Sequence, residues 1–260
     1  MAIVRLDAHA HLYDSYELPS WSSAAVKNLR GGDLHVAPVV IVVDRAGQDS
    51  FARFRREPSG WREVCEGRVG IYQTADSDLT VSRGAQYVAQ ERIEVLGLGC
   101  FRSDLEGRCA GEIVSAIRDA EGIPCLPWSP GKWLGARGAE VRKLLDRYTP
   151  QELSVGDVAI RSSLGPPSSL LARARALGYR VFHGTDPLPF NGEESLVGSF
   201  GQEIEIDGNY STDLLAKNVL ERLRDPGCRF VTCGQRNGAI QAFRRFVVSN
   251  LSRPAIASAG

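Results

Sequence analysis

The sequence predicts an α/β fold, closed as a barrel or open as a sheet, and three observations lead there. Short apolar, β-branched runs alternate with amphipathic helical stretches along the chain. Several of these runs are apolar almost throughout, as parallel strands covered on both faces should be. The length of 260 residues suits one (β/α) barrel, and a hydrophobic fraction of 43% can fill its core without disulfides or a second subunit. Eight strand candidates favour closure. The expectation is therefore a TIM-like (β/α) barrel of seven or eight strands, with distortion allowed, over 1–251 as a single domain, followed by a loose tail at 252–260.

The candidate strands are 3–6, 37–43, 68–73, 93–98, 123–127, 153–155, 180–183 and 229–232. Helical spacing is clearest over 111–120, where Ile113, Val114 and Ile117 recur on one face and Gly122-Ile123-Pro124 stops the run. Further helices are expected over 139–148, 168–176, 212–223 and 239–248, and Pro166-Pro167 makes a natural start for the second of these. The Arg-rich stretches 51–56 and 243–246 read as amphipathic helix faces. Two segments interrupt the pattern. Residues 80–90 read as an inserted turn or short hairpin around Arg83-Gly84. Residues 202–207 alternate Ile204 and Ile206 with acidic side chains and read as a small exposed strand.

Lys+Arg and Asp+Glu both total 31, so no general electrostatic pull toward nucleic acid or an anionic membrane is expected. The expected partner is a small-molecule substrate, with no nucleic acid and no membrane, and homo-oligomers are left open. No apolar run reaches bilayer-spanning length, and Met1 to Asp7 is too short and polar for a signal peptide. That predicts a cytoplasmic protein. Cys65, Cys100, Cys109, Cys125, Cys228 and Cys233 are scattered with no CxxC pair, which favours reduced thiols over disulfides or a zinc knot.

The strongest chemical signal is Asp7-Ala8-His9-Ala10-His11-Leu12-Tyr13 at the end of the first strand. Alternate strand residues share a side, so His9 and His11 can aim two imidazoles at one point. Neutral imidazole is a common ligand for divalent metals. The chain has only four histidines, and two of them stand here. The competing reading is a buried pair held by hydrogen bonds alone. Position favours a site, because barrel active sites are built at the C-terminal ends of the strands; Tyr13 then lies within reach of a substrate.

A second signal is Phe182-His183-Gly184-Thr185-Asp186-Pro187, where an apolar strand delivers Asp186 to its C-terminal edge. A carboxylate there can ligate a metal or accept a proton, although Asp-Pro is also ordinary turn chemistry. With these two motifs the chain resembles the amidohydrolase superfamily and the related PHP (polymerase and histidinol phosphatase) family, both (β/α) barrels holding one to three divalent metals. The resemblance implies that His9, His11 and Asp186 are metal-site residues and that the reaction is hydrolysis of an amide, lactone or phosphoester. The departures matter. The middle-strand histidines of those families are missing, His35 precedes its strand, and Leu188 stands where PHP proteins often place a histidine. A mononuclear site completed by a carboxylate is expected instead.

Asp157, in Ser154-Val155-Gly156-Asp157, ends a strand cleanly and ranks first as that ligand and as a catalytic partner of Asp186, ahead of Asp14, Glu17, Asp44 and Asp76. Zinc or manganese is the expected ion. A third motif, Trp128-Ser129-Pro130-Gly131-Lys132-Trp133, follows the fifth candidate strand. Trp128 offers a stacking surface, while Lys132 and Arg161 can orient an anionic group. The rival to a hydrolase is a barrel that has shed its metal and binds a small ligand or protein partner.

Overall fold

In the computed structural model, which describes residues 2–57, 60–129, 131–161, 168–206, 211–225, 227–236, 238 and 245, the strands form one eleven-stranded sheet. In chain order these are β1 (Ala2–Ala10), β2 (Val36–Asp44), β3 (Trp61–Cys65), β4 (Val69–Gln73), β5 (Asp78–Val88), β6 (Glu94–Leu98), β7 (Ile123–Pro127), β8 (Ser154–Val158), β9 (Val181–Gly184), β10 (Phe200–Ile206) and β11 (Val231–Gly234). The helices among the described residues are α1 (Leu18–Arg30), α2 (Ser50–Arg55), α3 (Ala110–Asp119), α4 (Gly135–Arg147), α5 (Ser169–Ala176) and α6 (Thr212–Arg224). The expected tail at 252–260 and the helix expected over 239–248, Arg245 apart, lie outside the described residues.

The sheet runs β11-β10-β1-β2-β5-β6-β7-β8-β9 and curls until β9 returns to β1, where the Asp186 N–H donates to the His9 carbonyl at 2.7 Å. The result is a nearly closed barrel, but not the regular one expected. β1, β2 and β5 are parallel to one another, as are β7, β8 and β9, while β6 runs antiparallel between the two sets and β10 runs antiparallel to β1. The strand expected at 68–73 is β4, one arm of a hairpin with β3 on the edge of β5. No segment of the reading covered β3.

The segment read as an inserted turn is β5, the longest strand. Its first half pairs with β4 and its second half with β6, while β2 runs along the opposite edge. Arg83-Gly84 looked like a turn because the reasons for it are tertiary. Arg83 is buried and ion-paired to Asp44 at 3.2 Å and Asp49 at 2.8 Å. A Cβ on Gly84 would lie 2.8 Å from the Gly97 carbonyl oxygen, so only glycine permits that strand approach. β10 likewise is not an exposed strand. It lies between β1 and β11 with Ile204 and Ile206 buried, and Glu203 pairs with Arg5 at 2.8 Å.

Inside the barrel, Val4, Leu6, Val39, Ile41, Leu96, Leu98, Ile123 and Phe182 pack together with Leu215, Val219, Leu220 and Leu223 of α6. Those α6 residues fall at helical spacing, and Ser211 caps the helix by accepting from the Leu214 N–H. Gly99, just beyond β6, would drive a Cβ to 2.6 Å from Leu220. Thus α6 seals the end of the barrel where β1 and β2 begin. One outer layer, from α1 and α2, covers Val40 and Val42 of β2 with Trp21, Phe51 and Phe54. Another, from α3, α4 and α5, covers β5 to β8. The open end is the one where β1, β8 and β9 finish. Among the described residues no helix is long and apolar enough to cross a membrane, and all six cysteines are free.

Candidate metal centre

The register of β1 against β2 explains where the histidines point. Asp7 pairs with Val40 and Ala10 with Val42, so three steps on β1 match two on β2. This bulge shifts the side-chain alternation by one. Below it the even residues Val4, Leu6 and Ala8 face the barrel interior; above it Ala10 packs outward with Val40 and Val42. His9 and His11 are thereby turned inward at the open end.

Asp7, left on the outer side, fastens the seam. Its fully buried carboxylate accepts from the His9 N–H at 3.1 Å, the Thr185 N–H at 3.0 Å, the Thr185 hydroxyl at 2.5 Å and the Gly198 N–H at 2.9 Å. Burial pushes this carboxyl up, opposed by those four donors. Next to it, Gly184 lies so close to β1 that a Cβ would sit 2.5 Å from the His9 nitrogen. Asp186 then takes a left-handed backbone conformation, φ 48°, which swings its side chain back over the histidines.

The outcome is a compact triad of donors. His9 Nε2 and His11 Nε2 are 3.2 Å apart, and Asp186 Oδ1 lies 3.7 and 3.5 Å from them. Ligands at about 2.0–2.2 Å in tetrahedral array have neighbouring donor atoms roughly 3.3–3.6 Å apart, so the three atoms fit one divalent ion. Tautomers fit as well. His11 Nδ1 lies 2.8 Å from the Val43 carbonyl, which can only accept, so Nδ1 carries the proton and Nε2 keeps its lone pair. His9 Nδ1 is buried with no partner, while its Nε2 faces His11 Nε2 and Asp186 Oδ1. Burial pushes the His9 imidazole down, toward the neutral form a ligand needs. Burial opposes ionisation of Asp186, but His9, His11 and Arg245 outweigh it and hold the carboxyl below the usual range.

The other expected residues divide. Tyr13 is at the site: its ring is 5.3 Å from that of His11, and burial together with the Asp186 charge raises its phenol. Lys132 is ion-paired to Glu94, whose charge acts on both His9 and Tyr13; Gln86 also donates to Glu94 at 2.9 Å. Sequence reasoning missed Glu94, since a carboxylate at the start of an antiparallel strand looks like the wrong end of a barrel. Trp128 packs into the outer layer, not the centre, as does Trp133.

Asp157 is not gathered with the histidines. Among the described residues the group spaced for a metal is His9, His11 and Asp186. The reason is the facing of β8. Val155 packs into the outer layer, so Asp157, two residues on, also faces outward. There it is bound by Arg161 through two bonds of 2.6 and 2.7 Å, by Arg236 at 2.8 Å and by Arg175 at 3.3 Å. Arg161 is consumed in the same pairing. Of the remaining candidates, Asp44 is tied to Arg83 and the Ser50 N–H, while Asp14, Glu17, His35 and Asp76 are exposed.

No protein-family model matches the chain, and no curated protein sequence matches it. Solved structures do. PsfC from Pseudomonas syringae PB-5123 is similar with a TM-score of 0.59 at 16% identity, over 96% of this chain and 98% of that one. The lesion-specific endonuclease EndoQ from Pyrococcus furiosus is similar with a TM-score of 0.52 at 11% identity, over 89% of this chain and 59% of that one. An Endonuclease Q complex with a 27-mer duplex bearing an abasic lesion gives 0.53 and 11%, over 89% and 60%. The fold is shared. The expectation that excluded nucleic acid is overturned here, because one of the similar structures is an Endonuclease Q complex with a DNA duplex, of which the match spans 60%. Net charge was the wrong criterion: it sums a surface whose arginines are locally clustered.

Proposed function

We propose that the chain is a metal-dependent hydrolase of PHP type, acting on a phosphoester. The observation that carries the reading is the donor triangle of His9 Nε2, His11 Nε2 and Asp186 Oδ1, with sides of 3.2, 3.5 and 3.7 Å at the open end of the barrel. Two imidazoles and a carboxylate suit zinc first and manganese second. A divalent ion held there supplies Lewis acidity toward a phosphoryl oxygen and makes water a stronger acid. Asp186, kept ionised, is available as a ligand for that ion. Tyr13 presents a protonated phenol beside Asp186, and Lys132 is neutralised by Glu94. A phosphoester is preferred over an amide or lactone because two of the similar structures are endonucleases, which cut phosphodiesters.

The test begins with tag-free protein titrated with zinc and with manganese. One equivalent should bind, and protein loaded in this way should hydrolyse bis(p-nitrophenyl) phosphate while His11→Ala does neither. Binding of less than about a tenth of an equivalent of either metal would remove the centre. Stoichiometric binding without phosphoesterase activity would leave the centre and remove the substrate class.

A further inference from the structure

Asp157 and its arginines form a second charged cluster, on the outer face where β8, β9 and β10 meet. One carboxylate is shared by Arg161, Arg175 and Arg236. Among the described residues, three formal positive charges meet one negative one. His183, the register partner of Asp157 on β9, joins them; its ring packs edge-on against Phe200, and the Arg236 guanidinium lies over the same ring at 5.3 Å. Burial pushes the His183 imidazole down to about 4, so it adds no balancing charge at neutral pH and acts only through hydrogen bonds.

The cluster also has polar nitrogens left over, two of them donors and the third an imidazole nitrogen whose role follows its tautomer. His183 Nδ1 and Arg236 Nε are buried without a partner, and so is the amide nitrogen of Gln202, whose oxygen accepts from the His183 N–H at 2.9 Å. The His183 residue is 6% exposed and Gln202 0%. Buried donors without acceptors, next to uncompensated positive charge, are costly unless an anion satisfies both. Access exists, since the Arg175 side chain is 40% exposed and that of Arg236 24%. Planar guanidiniums converging from a strand-end loop, a helix and the segment after β11 match a tetrahedral oxyanion, which accepts bidentate bonds on several faces.

We propose that Arg161, Arg175, Arg236 and His183 form a binding site for a phosphate group, separate from the metal centre. Asp157 holds the arginines in place and discounts their charge, so that the site grips a phosphate without trapping it. His183 and Asp186 are three residues apart on one strand and its exit, at most about 10 Å. The two sites nonetheless face opposite sides of the sheet, so phosphate held at the arginines stays apart from the histidines. The site does not depend on the metal-centre reading, because none of its residues belongs to the donor triangle.

Calorimetric titration with inorganic phosphate tests it, on the full chain without added metal and carrying His11→Ala so that the metal centre cannot contribute. One equivalent should bind in the millimolar range or tighter. Arg236→Gln should weaken it about tenfold or more, and Arg175→Gln by several-fold. Arg175→Gln is the safer variant, because its 3.3 Å bond to Asp157 is spare beside the Arg161 pair. Arg173→Gln, on the same helix but paired with Asp146, removes equal charge and should leave phosphate affinity unchanged. Equal losses for Arg173→Gln and Arg175→Gln, or an Arg175→Gln/Arg236→Gln protein that binds as the parent does, would overturn the site. Replacing phosphate by a nucleoside monophosphate and by a single-stranded oligonucleotide then identifies the source: whichever gains affinity, with that gain lost in Arg236→Gln, is the form recognised.

Discussion

Asp186 and Asp157 each follow or end a parallel strand at the same end of the barrel, yet one is open for chemistry and the other is closed. Asp186 faces two imidazoles, and among the described residues no guanidinium bonds its carboxylate, so the three donor atoms share an unclaimed centre. Asp157 meets three guanidiniums, one at Oδ1 and all three at Oδ2. What separates them is the side of the sheet they face. The bulge in β1 and the left-handed turn at Asp186 bring one carboxylate over the interior, whereas β8 keeps its alternation and sends the other outward.

Breaking the closed cluster should cost most. Asp157→Ala leaves Arg161, with 9% of its side chain exposed, buried without its counter-charge, and a loss of about 3–5 kcal/mol is expected in urea unfolding. The folded fraction should still bind one metal, which separates the two aspartates directly. His11→Ala makes the reverse statement: zinc affinity should fall at least about 100-fold, near 3 kcal/mol, with the metal-free protein losing about 1–3 kcal/mol because the buried Val43 carbonyl loses its donor. Gly184→Ala probes the seam between them. Its Cβ would meet the His9 nitrogen at 2.5 Å, so it should cost about 1–3 kcal/mol and weaken zinc binding as well.

The smallest effect concerns protons. His183 is held down to about 4 when folded, against about 6.5 for a free imidazole. Its folded value is depressed, so the unfolded chain binds the extra proton and stability is lost as pH falls from about 6.5 toward 4. Between pH 7 and 5 the metal-free protein should lose about 1–2 kcal/mol through this group. His183→Gln should flatten that part of the profile; an unchanged profile would mean the imidazole is not buried in its neutral form.

The two motifs that carry the metal centre were legible because their causes are local. Two imidazoles at alternate positions and an aspartate at a strand exit need only a few residues of backbone to converge. The strand β5 was not legible, since Thr80, Ser82, Arg83 and Gln86 are buried polar residues whose partners come from elsewhere. Neither was the fate of Asp157. Arg161 stands four positions away and was noticed, but Arg175 and Arg236 arrive from 18 and 79 positions downstream. Sequence showed a carboxylate at a strand end; only the facing of that strand says whether it looks toward a metal or toward arginines.

The bulge between Asp7 and Ala10 makes the reactive face of this barrel a matter of counting. A strand of the same length without the bulge would keep its apolar lower half and its fit beside β2, but would pair His9 with Val42 and send both imidazoles into the outer layer. One irregular step in the pairing of β1 and β2, invisible in hydrophobicity or composition, therefore decides which way both imidazoles look.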